Sequence, residues 1–228
     1  MRTMLPLGVA AVACALALTA AYATHPRIPP GHHEVPPDQC PLIGSRPDGR
    51  PPGPVERLLN PKKNRRTAPA PQDMDSSVTL ARMLAPGDDR TRFIETQGAE
   101  ITGYVVKVEQ GGHPETANCG NLTLKFTDTH ITVAVGPTTD LTTTLIVEVT
   151  PWWRQEMKKH GIDWSTPTLN QTLTGKKVKF TGWLLFDVDH IKEATNTQPA
   201  HAPKPPWRRT VWEIHPVTAI QPVLMPPP

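Results

Sequence analysis

Proline distribution is the feature that most limits what this chain can fold into. The 228 residues include 28 prolines, which cluster between residues 26 and 71 and again after residue 199. A segment with so much proline and so few large apolar residues cannot bury enough surface to offset the entropy lost on ordering. We therefore predict a disordered tether over residues 24–75 and a disordered tail over 224–228. Residues 76–223 remain to fold, which is enough for one modest core.

The first 23 residues have the anatomy of a secretory signal peptide. Arg2 precedes an apolar run, and the small residues Ala21 and Ala23 follow it. The run is short for a membrane span and is interrupted by Pro6. We predict cleavage after Ala23, a secreted or periplasmic location, and a mature chain without a transmembrane segment. Cys14 lies inside the apolar run rather than at its end, which argues against a lipid anchor.

Export would leave Cys40 and Cys119 as the cysteines of the mature chain. Two cysteines in an oxidising compartment are expected to pair. Such a disulfide would join the tether to the folded domain across a loop of about 80 residues. The alternative is one buried thiol and one exposed thiol.

Hydrophobic alternation predicts five strands. Their ranges are 100–109, 121–126 continuing into 130–135, 141–150, 176–187 and 210–223. A short helix over 78–84 precedes them, and a helical pattern over 151–173 separates the third strand from the fourth. This order predicts an all-β fold: a small OB-like five-stranded Greek-key barrel with a helical insert between strands 3 and 4. An open β-sandwich is the competing architecture.

Two long sequence runs resemble a known group of proteins. The run GKKVKFTGWLLFDVDH, followed by WRRTVWEIHPVTAI, is similar to a family of predicted secreted bacterial domains with an OB-like fold. The likeness covers roughly residues 98–221, and WEIHP and D-x-D-H are its most specific parts. That family is sometimes grouped loosely with nuclease-like OB proteins. The resemblance implies a fold and a compartment, and it carries over no catalytic residues.

Histidines and carboxylates recur at the predicted strand ends. Asp128 and His130 share a strand face because they are two residues apart, and Glu213 and His215 do the same. These side chains are ligands for zinc, manganese or iron and also serve as general acids and bases. The candidate catalytic residues are Asp187, His190, Glu213 and His215, and the candidate metal ligands are His130, His190 and His215. Each group has an ordinary structural explanation as its alternative: a surface carboxylate at Glu213, and strand-end hydrogen bonds elsewhere.

Charge and aromatic residues give a weak indication of nucleic-acid binding. The formal net charge is +3, and much of the excess comes from tether residues that we expect to be solvated: Lys62, Lys63, Arg65 and Arg66. The third strand, LTTTLIVEV, offers neither a basic nor an aromatic residue for the usual OB nucleic-acid face. The candidate ligand-binding residues lie elsewhere: Trp152, Trp153, Arg154, Arg208 and Arg209. Nucleic acid as a partner is therefore allowed but not indicated.

Two functions stay open from the sequence. The preferred one is a non-enzymatic secreted module that binds an unknown extracytoplasmic ligand or protein. The alternative is a metal-dependent hydrolase of the phosphodiesterase or nuclease type, whose cofactor would be a divalent metal. Convergence of Asp187, His190, Glu213 and His215 in one concave site, with a free histidine nitrogen, would favour the hydrolase.

Overall fold

The computed structural model describes residues 33–112 and 114–223. The predicted signal peptide, the first part of the predicted tether and the predicted tail lie outside these ranges. Within the described residues, no helix has both the length and the apolar character needed to cross a membrane.

Five strands close into a barrel. They are β1 Gly98–Gln110, β2 Thr129–Ala134, β3 Leu145–Val149, β4 Lys177–Phe186 and β5 Trp212–Pro222. Their order around the barrel is β1-β2-β3-β5-β4, and β4 pairs with β1 to close it. The β3–β5 pair is parallel and the other pairs are antiparallel. The prediction of a five-stranded barrel is confirmed at this level.

Four α-helices accompany the barrel in the described part of the chain. They are α1 Pro54–Lys63, α2 Leu80–Met83, α3 Pro151–Lys159 and α4 Thr166–Leu173. Helices α3 and α4 lie between β3 and β4 in the sequence. The hydroxyl of Thr150 accepts a hydrogen bond from the backbone N–H of Trp153, and proline occupies the first position of α3. Both features favour a helix start at this point.

The barrel core contains the predicted inward faces of β4 and β5. Val178, Phe180 and Leu184 of β4 are fully buried, as is Ile214 of β5. Gly182 occupies the next inward position of β4, where a Cβ atom would collide with the Pro216 carbonyl oxygen. The absent side chain therefore lets β5 approach β4 closely.

The predicted strand over residues 121–126 is wrong. This part of the β1–β2 connection makes turns, with the backbone N–H groups of Phe126 and Thr127 both donating to the Thr123 carbonyl. The Asn121 side chain both donates to and accepts from the backbone of Val35. Local turns and side-chain bonds to the N-terminal segment thus satisfy the polar groups that a strand would have paired.

The predicted disorder of the tether needs correction from residue 33 onward. We call residues 33–66 the cover, because they pack against the outside of the barrel. The disulfide between Cys40 and Cys119 is confirmed and holds the cover to the β1–β2 connection. Helix α1 buries Lys63, and the guanidinium of Arg65 lies 4.7 Å from the ring centre of Trp183 on β4. The proline content did not predict this, because the cover is anchored by contacts with the barrel rather than by its own core.

The basic residues of the cover are likewise not simply solvated. Lys62 pairs with Glu95 at 2.6 Å, and a guanidinium nitrogen of Arg66 donates to the Cys40 carbonyl oxygen at 2.7 Å. Lys63 and Arg65 are also engaged, since Arg65 donates to the Glu95 carbonyl oxygen and Lys63 contacts the carboxylates of Asp187 and Glu115. These four cations therefore attach the cover to the rest of the protein.

The buried ring of Phe180 provides a test of this core. Phe180→Ala should lower the free energy of unfolding by about 3–5 kcal/mol, because it removes a large side chain and leaves a cavity. The control is Leu58→Ala on α1, where the side chain is 74% exposed and the change should be near neutral. Chemical denaturation of both variants makes the comparison. Equal small effects would contradict the assignment of Phe180 to the core.

Candidate functional site

A buried polar layer lies between the barrel wall and the cover. His130 on β2, Glu148 on β3, and Glu213 and His215 on β5 alternate with core residues and therefore project outward from the barrel. His130 is directly opposite Glu148, and β5 runs beside β3. The members of this layer are Lys63, Glu115, Asp128, His130, Glu148, Asp187, Arg208, Glu213 and His215.

His215 lies at the centre of the layer and is fully buried. Its Nδ1 is 3.3 Å from an oxygen of Glu213, which identifies Nδ1 as the donating nitrogen. The Nε2 atom has no hydrogen-bond partner among the described residues. Arg208 in turn donates from Nη1 to the other Glu213 oxygen at 2.6 Å. A chain of contacts thus runs from Arg208 through Glu213 to His215.

Neighbouring charges determine the protonation states of His215 and Glu213. Burial alone would lower the pKa of His215, but the Glu148 and Glu213 carboxylates outweigh burial and raise it. Burial alone would raise the pKa of Glu213, but the Arg208 guanidinium outweighs burial and holds that pKa well below its usual range. Arg208 and Glu213 therefore form a true ion pair at neutral pH.

Glu148 also contacts His130. The Nε2 atom of His130 lies 3.0 Å from Glu148 Oε1, although the pair is not aligned as a hydrogen bond. Burial opposes the charged imidazole, yet the Glu148 carboxylate outweighs it and raises the pKa of His130 to about 9. The contact is therefore mainly electrostatic.

Asp128 completes this side of the layer at the end of the β1–β2 connection. Its Oδ2 accepts a hydrogen bond from Asn118 Nδ2 at 2.6 Å, while Oδ1 has no partner in the described part of the chain. Burial raises the pKa of Asp128 to about 6, with His215 working against this rise and Glu148 adding to it. Asp128 is thus a poorly solvated carboxyl close to a second carboxylate.

Lys63 links the cover to the other side of the layer. Its ammonium lies 2.9 Å from an oxygen of Asp187 and 3.3 Å from an oxygen of Glu115. Burial alone would lower the pKa of Lys63, but the Glu115 and Asp187 carboxylates outweigh it and raise that pKa. Burial would raise the pKa of Glu115, and the Lys63 ammonium lowers it instead. Each group therefore keeps its charge because the other is present.

The structure brings some of the sequence-predicted site residues together and separates others. Glu213, His215 and His130 converge around Glu148. Asp187 contacts Lys63 at 2.9 Å, and His190 lies 3.8 Å from Asp187 and 2.7 Å from Glu193 at the edge of the layer. The candidate catalytic residues therefore divide into two pairs, Asp187 with His190 and Glu213 with His215.

Sequence reasoning missed Glu148 and misjudged Glu213. The alternative that Glu213 is a surface carboxylate is wrong, because this side chain is fully buried and pairs with Arg208 of the β4–β5 connection. Glu148 is the single charge in the apolar run LIVEV. A lone charge in a strand of this kind is the signal that would have found it, since carboxylates are rarely buried without a partner.

The candidate ligand-binding residues do not form a free surface. Trp153 donates from Nε1 to the Arg65 carbonyl oxygen, and both Trp153 and Arg154 are buried. Arg208 is fully buried in its pair with Glu213, and the backbone N–H of Arg209 donates to the Thr144 carbonyl oxygen. Trp152 is half-buried and packs edge-to-face against Trp153.

A groove of about 1010 Å³ lies between the β1–β2 connection, the start of the cover and helices α3 and α4. Lys125 and Lys158 are exposed on its walls. Arg154 braces it from below, donating to the carbonyl oxygens of Lys125 and Thr127 and to the Thr166 hydroxyl. Its apolar lining includes Pro36, Leu124, Phe126, Pro151, Ile162 and Pro167.

Three members of the polar layer have the donor types and spacing for a metal. Asp128, Glu148 and His215 each place one ligand atom within 4.8 Å of the others. Imidazole nitrogen and carboxylate oxygen are accepted by several first-row divalent ions.

Comparison with known proteins gives no assignment. No protein-family model matches the chain, and a search of curated proteins finds no significant match. The family resemblance expected from the WEIHP region stays a prediction.

Lys63→Met provides a test of the polar layer. The variant should lose about 3–5 kcal/mol of stability at pH 7, because Asp187 and Glu115 would be left without their buried cation. The lowered pKa of Glu115 means that this carboxylate stabilises the fold above its ordinary pKa of 4.5 and loses that contribution as the pH falls through its folded value. The loss caused by Lys63→Met should therefore shrink on acidification.

The matched control is Lys62→Met, which removes the neighbouring, partly exposed cation that pairs with Glu95. This change should cost less than about 1 kcal/mol. Denaturant unfolding at pH 7 and at lower pH compares the two variants. Similar costs for both would contradict the buried-cation argument.

Proposed function

We propose that this protein is a secreted, OB-like binding module whose ligand occupies the groove beside helices α3 and α4. The strand order β1-β2-β3-β5-β4, with helices between β3 and β4, supports the OB-like assignment. The N-terminal sequence pattern and the Cys40–Cys119 disulfide support secretion. The fold alone does not identify a ligand.

The usual OB ligand face is covered in this protein. OB-folds bind oligonucleotides on the outer face of strands 2 and 3. In this protein that face carries His130 and Glu148, and Glu148 is only 1% exposed. An oligonucleotide would have to displace the segments packed on this face to reach it. The groove is a large concave surface that stays accessible.

The residues that line the groove support a polypeptide ligand. The lining is mainly apolar, and Ile162 is 47% exposed within it. The ring of Phe126 adds an aromatic surface to this lining, and grooves with aromatic walls receive extended proline-rich segments. Lys125 and Lys158 add positive charge on the walls, and Asp38 and Asp163 add negative charge, so the groove has no strong preference for one sign. These features together fit an extended, largely apolar, proline-rich polypeptide.

Arg154 makes the groove a preformed site. Its guanidinium bonds the β1–β2 connection and α4 at the same time, through Thr127 on one wall and Thr166 on the other. A site whose walls are already fixed loses less entropy on binding. The buried position of Arg154 therefore supports binding indirectly, by holding the walls rather than by contacting the ligand.

The hydrolase alternative gains less support. His130, Glu148, Glu213 and His215 do converge, and His215 has an unpartnered nitrogen. However, Glu148, Glu213 and His215 are each at most 1% exposed, and none of the three lines the groove. A substrate in the groove would therefore not contact them.

Ile162→Asp tests the groove. The probe is a fluorescein-labelled, proline-rich peptide, and binding is measured by fluorescence anisotropy. The wild type should bind it, and Ile162→Asp should weaken binding by at least about tenfold, because a carboxylate that must be desolvated replaces an apolar contact. Ile94→Asp is the matched control, since Ile94 is 59% exposed and does not line the groove.

Failure of the wild type to bind the peptide would overturn the polypeptide assignment. Equal binding by the two aspartate variants would move the site away from the groove. A single-stranded oligothymidylate that binds instead, and is lost in Ile162→Asp, would replace the polypeptide with nucleic acid as the ligand.

A further inference from the structure

We propose that Asp128, Glu148 and His215 form a closed site for a first-row divalent transition ion between the barrel wall and the cover. The site is separate from the groove and does not depend on the proposed peptide ligand. Its three members come from different elements: the β1–β2 connection, β3 and β5. Their ligand atoms lie within 4.8 Å of one another, and all three residues are at least 98% buried. One ion can therefore contact all three after small side-chain movements.

Unpartnered buried atoms are the second observation that points to a ligand. Asp128 Oδ1, Glu148 Oε2 and His215 Nε2 have no hydrogen-bond partner among the described residues. The 3.3 Å contact between Glu148 Oε2 and Nδ1 of His215 is not aligned as a hydrogen bond. Buried polar atoms without partners are costly, so three of them on three neighbouring residues require an explanation. A cation bound by these three residues would account for unpartnered polar atoms on all of them.

Two of the three residues have their second polar atom hydrogen-bonded by a neighbour, and the third, Glu148, has the His130 imidazole beside it. Glu213 accepts from Nδ1 of His215, which leaves Nε2 as the nitrogen with a lone pair when the ring is neutral. Asn118 donates to Asp128 Oδ2 and leaves Oδ1 free. His130 lies 3.0 Å from Glu148 Oε1 and leaves Oε2. One atom held and one atom free is the arrangement that orients metal ligands in proteins.

Arg208 and Glu213 together orient the ring of His215. Arg208 fixes Glu213 at 2.6 Å, and Glu213 fixes the ring of His215. A carboxylate bonded to the far nitrogen of a metal-binding histidine sets both its tautomer and its orientation. Glu213 is thus a positioning residue in this proposal rather than a ligand.

The donor set narrows the type of ion. One imidazole nitrogen and two carboxylate oxygens suit Zn²⁺, Mn²⁺ or Fe²⁺, whereas Ca²⁺ and Mg²⁺ prefer oxygen ligands alone. Cys119 is bonded to Cys40 in the disulfide, so it supplies no thiolate to this site. We therefore use Zn²⁺ as the probe.

The test begins with the mature chain purified without an affinity tag or chelator. Elemental analysis should find about one equivalent of a first-row transition metal, or the chelator-treated protein should take up one equivalent of Zn²⁺ in competition with a chromophoric chelator. Asp128→Asn and Glu148→Gln keep the side-chain shape and remove one ligand charge each. Both should weaken Zn²⁺ binding by more than about 100-fold.

Glu193→Gln is the matched control. It makes the same chemical change as Glu148→Gln, in a residue that pairs with His190 outside the three-residue site. Zn²⁺ binding should be unchanged in this variant. Circular dichroism on each protein establishes that the fold is retained.

X-ray absorption on the zinc-loaded wild type keeps the proposal testable if a variant does not fold. The spectrum should show one imidazole and otherwise oxygen ligands around zinc. Absence of binding by the wild type, equal affinity in a folded Glu148→Gln variant, or a spectrum with sulfur or several imidazoles would each overturn the site. Peptide binding in the groove would be unaffected by any of these results, so the two proposals fail separately.

Discussion

The buried ammonium of Lys63 is the contact on which the arrangement of the cover depends. It joins α1 to Asp187 at the end of β4 and to Glu115 in the β1–β2 connection. A buried charge is tolerated only when an opposite charge compensates its lost hydration. Lys63 and its two carboxylates therefore require one another, and the cover cannot leave the barrel without exposing or stranding charge. The segment is held by this requirement and by the Cys40–Cys119 bond together.

The segments outside the barrel change what its outer face can do. His130, Glu148, Glu213 and His215 lie on adjoining strands, and Lys63 of the cover and Arg208 of the β4–β5 connection belong to the same buried layer. In this low-dielectric layer the charges act strongly on one another's pKa values. The groove beside α3 and α4 is a concave surface outside this layer.

Sequence patterns predicted the parts of this protein that depend on local periodicity. The inward face of β4, with Val178, Phe180 and Leu184, followed from simple alternation. The α4 start at Thr166 followed from the Thr-Pro pair, and the disulfide was expected from the two cysteines that follow the predicted signal peptide. The predicted strand over 121–126 was wrong. The sequence does alternate there, but its polar groups are satisfied by turns and by Val35 of the cover. Periodicity carries no information about such a distant partner.

The sequence by itself determined where the five barrel strands lie, apart from the wrong segment over 121–126, and which residues of β4 face inward, and it favoured the cysteine pair. Each of these depends on the hydrophobicity, spacing or number of residues along the chain. Only the tertiary structure decided that the proline-containing cover is ordered from residue 33, that Glu213 is buried, and that Glu148 joins Asp128 and His215. These outcomes depend on contacts between residues far apart in the chain. The physical reason is that compensation of a buried charge is a property of its surroundings: the buried carboxylate of Asp187 is compensated by Lys63, more than a hundred residues earlier in the sequence.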